Sequence, residues 1–232
     1  MCGRFILTSS GKDLAEQFAL MTEPELSPRY NIAPTDEIAT IRKDADRNYR
    51  RLTCLKWGLI PSWAKDTSMG PSMINARCET LSQKPAFRAA FKRRRCLIPA
   101  NGFYEWQKLE GRKQPYLIQL VDRGLFAFAG LWEHWESQEN VFLESCAIIT
   151  TESNHLVRPI HDRMPVIIQR KDYDSWLSLK EPARELFHPY PSDEMICFPV
   201  NPKVNRAGYD HPDCIEPAIL GESDTKSGSP IP

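Results

Sequence analysis

Residues 95–149 read RCLIPANGFYEWQKLEGRKQPYLIQLVDRGLFAFAGLWEHWESQENVFLESCAII, and this stretch decides the fold. Apolar, β-branched and aromatic residues come in short runs over 95–99, 102–107, 115–121, 125–132 and 141–149. Such runs are the composition of strands rather than helices. Glu110-Gly111 and Arg123-Gly124 punctuate two of the gaps as tight turns, which predicts an antiparallel meander.

Outward from this block the pattern changes. Residues 4–8 read as a strand, and Ser10 with Asp13 forms a capping signal for a helix with Leu14, Phe18 and Ala19 inward. Pro24 to Pro34 reads as an irregular loop, 37–42 and 49–57 as strands joined by the charged turn Asp44 to Asn48, and Trp57 to Met73 as loop. A helix over 84–94 places Phe87, Ala90 and Phe91 on one face. Helices at 170–179 and 182–187 precede a strand at 194–200. Strands and helices do not alternate, so the class is α+β, one domain over 1–220 with a mainly antiparallel core. The Ser-, Gly- and Pro-rich tail 221–232 predicts disorder.

The 30 basic and 30 acidic residues cancel, so net charge neither marks nor excludes a nucleic-acid partner. No apolar run reaches the roughly 18 residues of a membrane span, and MCGRFILTSS lacks the features of a secretory signal. Seven cysteines at 2, 54, 78, 96, 146, 197 and 214 match no disulfide framework or zinc spacing. These features predict a reducing, intracellular compartment, with no metal and no cofactor. Cys96, Cys146 and Cys197 sit in apolar runs and read as small buried hydrophobes.

Cys2 differs by position. Once Met1 is removed it carries an α-amine, whose pKa of about 7.7–8.0 leaves a useful neutral fraction at pH 7, beside a thiol. The amine can condense with an aldehyde and the thiol can close on the imine carbon as a thiazolidine, a sequence no internal cysteine can follow. A merely tolerated second residue is the plain alternative. Glu105 lies in the aromatic string Gly102-Phe103-Tyr104-Glu105-Trp106. There it is either a desolvated acid/base or an outward residue of an amphipathic strand. His161 in His161-Asp162-Arg163-Met164-Pro165 is either a proton carrier near neutral pH or a structural histidine. Asn75-Ala76-Arg77 and Glu79-Thr80 add a polar segment.

These strings, with Cys2-Gly3-Arg4-Phe5, Arg29-Tyr30-Asn31-Ile32-Ala33-Pro34, Trp57-Gly58-Leu59-Ile60-Pro61, Pro199-Val200-Asn201 and Val204-Asn205, resemble the SOS-response-associated peptidase (SRAP) family, in order along nearly the whole chain. The resemblance implies a barrel-like β core with flanking helices. It also implies a monomeric sensor that binds single-stranded DNA and crosslinks to abasic sites. On motif position it implies Cys2 as nucleophile, Asn75 as positioning donor, Glu105 as acid/base and His161 as second proton carrier. Arg4, Arg77, Trp106 and Thr150 are implied as DNA contacts. For Trp106 core packing is the alternative, and for the basic run Lys92 to Arg95 a solvated helix end competes with an electrostatic track. An N-terminal-cysteine peptidase acting on its own Met1, and a non-covalent single-strand binder, stay open beside the covalent sensor. If bacterial the protein is expected in the cytoplasm or nucleoid, if eukaryotic in the nucleus.

Overall fold

Long runs of continuously buried residues in the central block build the walls of a barrel. The computed structural model describes residues 2–44, 49–179 and 183–218. Its strands are β1 Phe5–Leu7, β2 Arg29–Ile32, β3 Glu37–Lys43, β4 Arg50–Trp57, β5 Asn75–Arg77, β6 Arg95–Ala100, β7 Gly102–Leu109, β8 Arg112–Leu120, β9 Phe126–Glu136, β10 Phe142–Glu152, β11 Arg163–Pro165, β12 Ile167–Ile168 and β13 Met195–Pro199. The helices are α1 Gly11–Phe18, α2 Pro85–Arg93 and α3 Tyr173–Leu177.

Pairing runs β10-β4-β3-β6-β9, and β9 returns to β10, so these strands close on themselves. Closure removes the open edges that a flat sheet would expose. The β10–β4 pair is parallel and the others in the ring antiparallel, which makes a mixed barrel within an α+β single domain. A second sheet, β13-β8-β7-β1-β2, packs beside it. Phe5 of β1 joins the two, its ring edge-on to Trp57 and Phe128 at 5.3 and 5.8 Å.

The central block is therefore not a simple meander. β7 and β8 pair as a hairpin, but β6 and β7 belong to different sheets, as do β8 and β9. The chain crosses between sheets at Asn101-Gly102. Asn101 Oδ1 accepts the backbone N–H groups of Thr8 and Ser9 at 2.8 and 3.1 Å, which draws β1 in beside β7. Gly102 lies so close to β8 that a Cβ would stand 2.9 Å from the Ile118 carbonyl oxygen.

Other differences have local causes. Ser10 and Asp13 form the expected capping box, but Ala19 is the left-handed C-cap at φ 52° and is exposed rather than inward. β2 lies inside the expected loop, because the Asp210 carboxylate binds the Tyr30 and Asn31 N–H groups at 2.5 and 3.0 Å. Thr67–Ser72, within another expected loop, is a 3-10 helix. Of 170–179 only α3 is α-helical, after a 3-10 turn at Arg170–Asp172, and Ala183–Leu186 is likewise 3-10. Residues 45–48 of the charged turn, residue 182 and the tail 221–232 lie outside the described residues. Gly58 in the Trp57-Gly58 string has φ +133°, and a Cβ there would meet the Gly70 carbonyl oxygen at 2.6 Å; only glycine meets both demands.

Half of the basic run Lys92 to Arg95, at the end of α2, is structural. Arg95 is buried with its guanidinium over the Phe91 and Trp176 rings at 4.9 and 5.1 Å, and Arg94 pairs with buried Glu133 at 2.6 Å. Neither is available to extend an electrostatic track.

Candidate active site

β7 outruns its neighbour β1, and the site forms where β1 begins. Tyr104 N–H donates to the Arg4 carbonyl at 2.9 Å, after which β7 continues as Glu105, Trp106, Gln107 and Lys108 with no β1 partner. A cleft of about 440 Å³ opens there, lined by Gly3, Arg4, Pro34, Glu105, Trp106, Lys108, Lys113, His161 and Asn205. Cys2 lies beneath it, fully enclosed.

Asn75 reaches Cys2 from the barrel. Its strand β5 runs parallel to β10, with Asn75 in register with Ile148, and its Nδ2 donates to the Cys2 carbonyl at 2.8 Å. The other amide atom, Oδ1, is buried and lacks a hydrogen-bond partner among the described residues. An acceptor left open beside Cys2 is costly unless something else occupies it.

Glu105 is 2 % exposed, so it faces inward rather than out from an amphipathic strand. Burial pushes its carboxyl up to about 7, where both protonation states are populated at neutral pH. Burial also raises the Cys2 thiol well above the ordinary range, and the nearby Glu105 charge adds to this. The Cys2 sulfur is thus held as S–H rather than thiolate.

His161 Nδ1 lies 3.0 Å from the Arg163 backbone N–H, which donates to it, and 3.0 Å from Asp162 Oδ1. One nitrogen cannot serve both in one state: the neutral ring accepts from Arg163, and the imidazolium donates to Asp162. Burial lowers the His161 pKa, against an opposing pull from Asp162. The neutral ring with its proton on Nε2 therefore prevails at pH 7.

The implied DNA-contact residues divide. Arg4 is half-buried, its Nη1 donating to Asn31 Oδ1 and the Val204 carbonyl, each at 2.8 Å, while it still lines the cleft. Trp106 is half-exposed in the cleft wall and also packs against the small core cluster of Ile6, Tyr104 and Val204, and its indole N–H donates to Asn205 Oδ1 at 2.7 Å. Arg77 is exposed at the end of β5. Thr150 has no exposed surface; its carbonyl accepts from Arg163 Nη2 at 2.6 Å. It therefore supports Arg163, which also clasps Glu79 at 2.5 and 3.0 Å, and is not itself presented to a ligand.

Asn31, within the Arg29-Tyr30-Asn31-Ile32-Ala33-Pro34 string, is a further residue of the site. It is fully buried, accepts from Arg4, and its Nδ2 faces the carbonyls of Val204, Arg206 and Tyr209 at 3.1, 3.0 and 2.7 Å. Asn31→Ala should strip these partners at once and destabilise the fold by about 2–4 kcal/mol, read as a lowered urea midpoint. Lys108, Lys113 and Pro34 also line the cleft unannounced. Their only sequence signal is that Lys108 shares period-two phase with Trp106.

Among the described residues no metal-binding cluster occurs, and no helix is long and apolar enough to cross a membrane. Residues 1–207 match the family profile described as SOS response associated peptidase (SRAP). The chain is 46% identical over 224 residues to a Bacillus subtilis protein named abasic site processing protein YoqW, covering 93% of this chain and 99% of that one. It is 32% identical over 236 residues to the rat protein named abasic site processing protein HMCES, covering 83% of this chain and 66% of that one. A crystal structure of a Bacteroides thetaiotaomicron protein superposes with TM-score 0.85 at 22% identity, covering 94% of this chain and 100% of that one, and so shares the fold. Motifs, profile and relatives agree along the same span, and the chain belongs to the SRAP family.

Proposed function

We propose that this protein processes abasic sites in single-stranded DNA by forming a covalent adduct through Cys2 after removal of Met1. The observation that carries the reading is the enclosure of Cys2 against Asn75 beneath a cleft lined by Glu105 and His161. The open-chain abasic sugar supplies an aldehyde. The Cys2 amine adds to its carbon, water leaves and an imine forms. Sγ then adds to the same carbon while its proton passes to the nitrogen, closing a five-membered ring of S, Cβ, Cα, N and the sugar carbon.

Each step moves a proton. With a carboxyl near 7, Glu105 can donate to the departing hydroxyl and accept from the thiol within one turnover. Neutral His161 presents Nε2–H as a second donor. Because the thiol stays protonated, the amine attacks first, and a thiolate assault on peptide bonds is disfavoured. Asn75 holds the Cys2 carbonyl and offers Oδ1 to an amine N–H. Arg4 and Arg77 meet phosphates, Trp106 stacks on a base, and Thr150 acts through Arg163.

Single-stranded oligonucleotides carrying an abasic site or an intact base test this on denaturing gels. A heat-stable adduct with the abasic strand alone is expected. No adduct, with equal affinity for both strands, would replace the proposal by non-covalent binding.

A further inference from the structure

The β7–β8 hairpin carries a feature that folding does not explain. Lys108 and Lys113 are direct cross-strand partners, and both line the cleft and are exposed. Opposed residues on a ladder hold their Cβ atoms about 4.5–5.5 Å apart, and like charges there repel. Among the described residues neither lysine forms an ion pair that would offset this repulsion. On β7 the pair stands two residues beyond Trp106, on the same face of the strand. Within the same wall, the charge of Lys108 reaches His161.

We propose that Lys108 and Lys113 form a phosphate clamp that holds the backbone of the bound DNA strand as it leaves the lesion past Trp106. The proposal rests on the abasic-site reading above. A phosphodiester seated between the two ammonium groups turns their repulsion into shared attraction. Lysine suits the task because a compact charge on a flexible stem follows a passing backbone without demanding one bidentate geometry. The hairpin thus extends the cleft from the reacting carbon to the neighbouring phosphate, and the free protein carries a repulsion that ligand binding relieves.

The test is the salt dependence of binding to a lesion-free single-stranded oligonucleotide. Each lysine that meets a phosphate contributes about 0.7 to the slope of log affinity against log salt. In Lys108→Gln/Lys113→Gln the slope should fall by about 1.4, with affinity at low salt down roughly tenfold or more. Lys12→Gln removes a charge outside the cleft, beside Glu16, and should leave the slope unchanged. The melting temperature of the free double variant should hold or rise, because a like-charge pair has been relieved. An unchanged slope in the double variant, while the wild type binds with normal salt dependence, overturns the clamp alone. A lowered melting temperature would show the pair to be structural and overturn it as well. A wild type without salt-dependent binding would overturn the parent reading and the clamp together.

Discussion

Cys2→Ala is expected to abolish the heat-stable adduct with abasic single-stranded DNA while still giving a borohydride-trappable imine. The two nucleophiles of residue 2 separate in this variant: the α-amine survives Met1 removal, and the thiol that closes the ring does not. Protein that retains Met1 should yield no heat-stable adduct, because its α-amine then sits on a residue without a thiol. Its Cys2 nitrogen is then an amide, whose lone pair is delocalised into the carbonyl. Heat stability is the informative readout because an imine hydrolyses, whereas ring closure removes the C=N bond. A heat-stable adduct of unchanged yield in Cys2→Ala would end the mechanism. Circular dichroism of the variant separates loss of chemistry from loss of fold, since a small buried side chain is being trimmed.

Glu105→Gln should produce a large effect on stability as well as on rate. The fold raises this carboxyl from 4.5 to about 7 by burial. Between those values the folded chain holds a proton that the unfolded chain has released, so stability declines as pH rises through this window. Glutamine has no such dependence. Above pH 7 the variant should therefore be more stable than the wild type by about 3 kcal/mol at most, with the difference vanishing below pH 4.5. Urea unfolding at pH 5 and pH 8 reads both ends, and equal stabilities at both would contradict the burial argument. The same change should slow adduct formation by roughly 100-fold or more, as removal of a positioned acid/base does. An unchanged rate would take Glu105 out of the proton path. Greater stability with poorer chemistry is the expected trade at a site built around a desolvated charge.

Legibility in the sequence tracked the length of each signal. β6 to β10 were readable because each holds six or more residues of strand-forming composition. The segments β2, β5, β11 and β12 span two to four residues, too short for any periodicity; β5, β11 and β12 exist because the long strands β9 and β10 offer them an edge, and β2 because β1 and Asp210 hold it. Their short lengths hid the means by which Asn75 and Arg163 are positioned, since both side chains ride on such segments. Thr150 belongs to the same neighbourhood: it has no exposed surface, and its carbonyl accepts from Arg163. Lys108 and Lys113 come face to face only through the β7–β8 register.

What the sequence by itself determined was the α+β class, the strand content of the central block, and the chemical identity of Cys2 as an amine–thiol pair, because these follow from composition, local period and position. Only the tertiary structure decided that the barrel closes through β9–β10 and that β6 and β7 part into different sheets. It also decided that Glu105 is buried deeply enough to titrate near neutrality. Burial, register and desolvation arise from contacts between residues far apart in the chain, and no local window of sequence contains them.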